Sequence, residues 1–115
     1  MKKYFVVYRV PTASMDNWMK TTDPKTRKEQ MDKLMSDMAQ WTKKHSASLT
    51  EQGAPLGKTK SVTSNGITDT RNDLNYYTIV EASSHEEAAK LFADNPHLQI
   101  PTSSIDVMDI PHMGM

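Results

Sequence analysis

The stretch 3–10 is apolar on both faces when it is read as a strand. Tyr4, Val6, Tyr8 and Val10 fall on one side, and Phe5, Val7 and Arg9 on the other. A strand of that kind belongs in the middle of a sheet, with cover above and below. This requirement narrows the possible architectures more than any other segment does. The 115 residues suffice for one domain, spanning 1–115, with one core. A hydrophobic share of 37% and a charged share of 24% suit a globular chain rather than a disordered one.

The rest of the pattern supplies the cover. Pro11 ends the first strand, and Ser14 can cap a short helical segment over 15–19. Asp23 before Pro24 is a stronger start, an N-cap followed by proline at the first helical position. From there to about residue 48 the pattern is amphipathic, with Met31, Leu34, Met35, Met38, Trp41 and Leu49 recurring near the helical period. Such a helix would run ~37 Å against ~23 Å for a seven-residue strand, so it should overhang the sheet or break. A polar strand is expected over 56–63, where Lys58 and Lys60 suit a sheet edge. Asn65-Gly66 signals a tight hairpin with a short return over 67–70. A strand over 75–82 follows. Ser84 and Glu87 then form a capping box for a helix over 85–94 that buries Ala88, Ala89, Leu91 and Phe92. The last strand is expected over 104–110.

This order predicts an α+β, ferredoxin-like βαββαβ fold. Its four-stranded antiparallel sheet takes the order 4-1-3-2, and two helices cover one face. The other face is left bare, although Phe5 and Val7, or Tyr4 and Tyr8, must lie on it. A second copy packed sheet against sheet is the expected cover, making a homodimer.

Several stretches then share a pattern. Gly66-Ile67-Thr68-Asp69-Thr70-Arg71 leads into Tyr77-Thr78-Ile79-Val80-Glu81-Ala82. Ser83-Ser84-His85-Glu86-Glu87-Ala88-Ala89 is an acidic, alanine-rich helix start, Asn95-Pro96 a helix stop, and Ile105-Asp106-Val107-Met108-Asp109-Ile110 a final strand. In these, and in Tyr4-Phe5-Val6-Val7-Tyr8, the chain resembles the YCII-related or DGPF-domain family of the dimeric α/β-barrel superfamily. The resemblance implies a homodimeric barrel with a pocket in each subunit. There are departures. Asn65-Gly66-Ile67-Thr68 stands where the family's D-G-P-F motif would be. Some members are thought to use a His–Asp pair whose histidine follows the first strand. Here 11–28 holds Asp16 and Asp23 but no histidine, so that pair does not carry over.

The candidate binding residues are aromatic and polar groups near the central strands. Tyr8, Tyr76 and Tyr77 can line a ligand cavity, or pack a dimer core equally well. Arg9 can clamp a carboxylate, or pair with Asp106 or Asp109. Trp18 sits where a lid over the pocket would lie. Asp69 and Arg71 are further polar candidates on the long hairpin. His97 is the candidate general acid or base, because its loop is bracketed by Pro96 and Pro101 and its ordinary pKa lies near neutrality. His112, Met113, Gly114 and Met115 resemble a soft-metal ligand set, but a terminus with so few donors is weak ground, and no metal or cofactor is expected.

Other classes are set aside by composition. The 14 basic and 14 acidic residues cancel, which argues against nucleic acid and anionic membranes. The absence of cysteine excludes disulfides, thiolate metal sites and a thiol nucleophile. No apolar run reaches the ~18 residues of a membrane span. The N-terminal apolar stretch breaks at Arg9, short of a signal sequence, so a cytoplasmic address is expected. Two readings stay open: a small-molecule-binding dimeric barrel, with or without acid/base catalysis, and a non-catalytic regulatory or protein-interaction module built on the same dimer.

Overall fold

The computed structural model describes residues 1–111, and the tail from His112 to Met115 lies outside the described residues. The chain runs β1 (Lys2–Arg9), α1 (Thr12–Thr21), α2 (Pro24–Lys44), β2 (Leu49–Pro55), β3 (Thr59–Thr63), β4 (Gly66–Thr70), β5 (Leu74–Ala82), α3 (His85–Lys90) and β6 (Ser104–Asp109). Short 3₁₀ turns at Ser46–Ser48 and Pro96–Gln99 precede β2 and β6. The fold is α+β, with a four-stranded antiparallel sheet in the order β2-β5-β1-β6. This is compatible with a ferredoxin-like arrangement.

The two-sided strand is indeed central. Tyr4, Val6 and Tyr8 of β1 join Val80 and Ala82 of β5 beneath Trp41, Ala88 and Phe92 from the helical layer. The opposite parity carries Phe5 and Val7, with Ile79 and Tyr77 across from them on β5 and Met108 across from Phe5 on β6. Among the described residues no helix covers that face, and the molecule is a slab only 19 Å thick. That is the depth of two layers.

The caps follow their residue types. The Asp23 carboxylate accepts from the Thr26 N–H at 3.3 Å, and the Ser84 hydroxyl accepts from the Glu87 N–H at 3.1 Å. Ser14, by contrast, caps nothing. α1 starts at Thr12 directly after Pro11, and the Ser14 hydroxyl meets the Thr102 hydroxyl at 2.7 Å instead.

Three expectations need correction. The strand over 56–63 is not an edge of the main sheet. That edge is β2, anchored by Leu49 against the core, while β3 pairs with β4 as a separate two-stranded hairpin. Gly53 lies inside β2 at a φ of +76°, where a Cβ would collide with the Tyr77 carbonyl oxygen. The long helix stops at Lys44 rather than near residue 48, and its upper half overhangs: Met31 is 44% exposed and Met35 66%. Finally, α3 ends at Lys90, so Ala89 faces solvent while Ala88 and Phe92 are buried.

Candidate functional site

The expected site residues divide between four places. On the helical side of the sheet, Tyr8 and Tyr76 are neighbours across β1 and β5, their rings 5.5 Å apart and edge to face. His97 joins them from the Pro96–Gln99 turn, its ring 5.1 Å from that of Tyr8. Asn95 holds the corner by donating from its side chain to the Tyr8 hydroxyl at 3.0 Å, while its own oxygen accepts from the His97 N–H at 2.9 Å. Burial pushes the Tyr8 phenol well above the ordinary tyrosine range, with the Asn95 bond only partly opposing, so it stays protonated. Burial also lowers the His97 pKa, against the weaker pull of hydrogen bonds with the backbone of Arg9 and Ser104. Nε2 of His97 donates to the Arg9 carbonyl at 3.0 Å, which ties the turn to the end of β1.

The bare side of the sheet holds Arg9 and Tyr77. Arg9 bridges Asp73 at 2.6 Å and Asp106 at 2.8 Å, and the pairing raises its already high pKa while lowering that of Asp73. Of the two partners expected for Arg9, Asp106 is used and Asp109 is not; Asp73 takes its place. The Tyr77 hydroxyl donates to Glu51, and that bond raises the phenol's pKa. Asp69 and Arg71 lie apart again. Asp69 pairs with Lys60 across the hairpin, and Arg71 grips Asp16 of α1 with both terminal guanidinium nitrogens.

Trp18 marks the fourth place, a groove of about 740 Å³ between α1, α2 and residues 99–102. Its walls are largely apolar: Val10, Met15, Trp18, Met31, Leu34 and Ile100. The indole N–H of Trp18 donates to Gln30 Oε1 at 2.6 Å, linking α1 to α2 across the opening. At the far wall Thr102 adopts a φ of +65°, a left-handed conformation that a β-branched residue seldom takes. Its hydroxyl contacts both Ser14 and the Pro101 carbonyl, which holds that strained corner against α1.

The groove adjoins the Tyr8 corner without including it. Val10 follows Arg9, and Gln99 and Ile100 follow His97, so the His97 turn carries part of the groove wall. Sequence reasoning found Trp18 but missed Ser14, Gln30, Leu34 and Thr102. One signal for them lies in Thr21-Thr22-Asp23-Pro24, which folds α1 back on α2 and faces Trp18 toward the first turns of α2.

No family model and no curated protein matches this sequence. Among solved structures, the chain is similar to 5-chloro-2-hydroxyhydroquinone dehydrochlorinase (TftG) from Burkholderia phenoliruptrix AC1100, determined in complex with 2,5-dihydroxybenzoquinone. The match has a TM-score of 0.51 at 17% identity and covers 95% of this chain and 94% of that one. At that identity, a shared fold over nearly the whole length is what the likeness shows.

Proposed function

We propose that 1–115 form one domain of a homodimeric α/β-barrel protein of the YCII-related type, each subunit of which binds a small molecule in the groove beside Trp18. The observation that carries this reading is the groove itself. Its volume falls inside the range of small-molecule pockets, and its lining is apolar with a few convergent polar groups, namely Ser14, Gln30, Lys33 and Thr102. A planar, ring-bearing compound suits it, stacking on the Trp18 indole while its polar substituents meet Gln30 or Lys33. The fold is shared with a protein solved with 2,5-dihydroxybenzoquinone, a planar ring with polar substituents.

Within this proposal His97 acts as a positioning residue. Its Nε2 proton is committed to the Arg9 carbonyl, and its turn carries the wall formed by Gln99 and Ile100. Tyr8, Tyr76 and Asn95 lock the turn, while Arg9, Tyr77, Asp69 and Arg71 serve the fold and its surfaces. Binding without catalysis is favoured by the lining, in which Lys33 is the sole titratable side chain among the described residues. The test is titration with 2,5-dihydroxybenzoquinone followed by intrinsic fluorescence and calorimetry. Saturable binding that Trp18→Ala weakens by about tenfold, ~1.4 kcal/mol, supports the reading. Equal affinity in wild type and Trp18→Ala removes the groove from consideration.

A further inference from the structure

The β3–β4 hairpin has no evident purpose in a single copy of the chain. It stands outside the four-stranded sheet, and isolated two-stranded ribbons are marginally stable. At its tip Val62 and Ile67 are cross-strand partners, 73% and 67% exposed. The hairpin is held at its base by polar contacts from Asn72 to Thr59 and from Arg71 to Asp16. The whole chain is correspondingly extended. Its Cα radius of gyration is 16.1 Å, whereas a compact chain of this length would have ~13 Å.

We infer that this hairpin is an arm that lies across a second copy of the chain, its Val62–Ile67 tip against the margin of the partner's bare sheet face. This rests on the homodimer reading and extends it to a named segment. Area is one argument. Four strands at ~4.8 Å spacing, with six paired residues at ~3.3 Å, give a plan area near 400 Å². A stable interface buries ~800 Å² on each partner. The arm contributes roughly 150 Å² in plan, which in a twofold pair raises each copy's share to about 550 Å² and brings the contact nearer that size than the sheet face alone does. Charge is the second argument. The bare face carries Glu51, Asp73, Glu81 and Asp106 against Lys3 and Arg9, and is therefore acidic. On the arm Lys60 pairs with Asp69 and Arg71 with Asp16, which leaves Lys58 at its base and makes the segment net basic. The two surfaces are complementary, and both belong to the same chain.

The chain has no cysteine, so Val62→Cys creates a single labelling site. Wild type is first sized by light scattering at tens of micromolar, where the expected mass is twice the 13.0 kDa of one chain. The double variant Val62→Thr/Ile67→Thr keeps β-branched residues and should retain the wild-type circular dichroism spectrum. Its dimer dissociation constant should rise by about tenfold or more, the ~1.4 kcal/mol scale of a small apolar anchor. A nitroxide at position 62 should give an immobilised spectrum at high concentration and a mobile one on dilution below the dissociation constant. An unchanged constant in the double variant, or a nitroxide that stays mobile in the dimer, overturns the arm and leaves the sheet-to-sheet dimer standing. A monomeric wild type overturns both.

Discussion

At the residue scale, His97 has the most definite chemistry. It is 6% exposed, and burial holds its pKa below the ordinary histidine value. The folded protein therefore keeps the ring neutral at pH values where the unfolded chain, titrating near 6.5, takes up a proton. Stability is complete above about pH 6.5 and declines on acidification toward the lowered folded pKa, by at most ~1.4 kcal/mol per pH unit for one proton. Urea unfolding midpoints measured between pH 7.5 and 5 should fall less steeply in His97→Gln than in wild type, since glutamine retains a donor for the Arg9 carbonyl without titrating. Parallel slopes would remove His97 as the source. The position of this residue was legible, because Asn95-Pro96 and Pro101 fix a short stiff loop. Its partner was not, since a backbone carbonyl 88 positions away has no signature in side-chain pattern. Thr102 was equally hidden: nothing in Pro101-Thr102-Ser103 announces a left-handed threonine, and only packing against Ser14 accounts for it.

At the scale of elements, α2 separates what periodicity can tell from what it cannot. The apolar stripe identified the helix, but a stripe does not say how much of its length the sheet can reach. A helix of 21 residues runs ~31 Å, longer than the strands beneath it, so burial concentrates at its C-terminal end. Trp41 is 5% exposed, lies 5.1 Å from the Phe92 ring, and donates to Asp94 at 3.1 Å. Trp41→Ala should cost about 3–5 kcal/mol in denaturant unfolding. Met35→Ala, on the overhang, should change stability by less than about 0.5 kcal/mol. Comparable losses at both positions would mean that the stripe is buried throughout. The edge strand shows the converse failure. Glu51-Gln52-Gly53-Ala54-Pro55 reads as a helix stop because glycine and proline disrupt local propensity, yet long-range pairing with β5 makes it a strand. Of the residues 56–63, which look more strand-like, Leu56 still donates its N–H to the Asn75 carbonyl of β5, while Thr59–Thr63 pair with β4 in their own hairpin.

At the scale of the whole molecule, a 19 Å slab with helices on one face leaves the other face as the surface on which the proposed dimer is tested. The bare face is apolar at its centre, where Phe5 and Tyr77 stack at 5.8 Å beside Val7, Ile79 and Met108. Val7 is a poor place to test pairing. At 4% exposure it is already screened by its neighbours, so an arginine there would disturb the single chain as well as any dimer. Met108 is 42% exposed and offers a cleaner probe. In the separate chain Met108→Arg sets a cation on an exposed edge-strand position next to acidic Asp106 and Asp109, and folding should be little affected. In a face-to-face pair the twofold symmetry of the contact repeats the substitution in both copies, burying two guanidinium groups against apolar surface. Sedimentation equilibrium at tens of micromolar should therefore show a dimeric wild type and a monomeric Met108→Arg with the same circular dichroism spectrum. Persistence of the dimer in the variant would place the contact elsewhere on the chain, and the covered-barrel reading would fail with it.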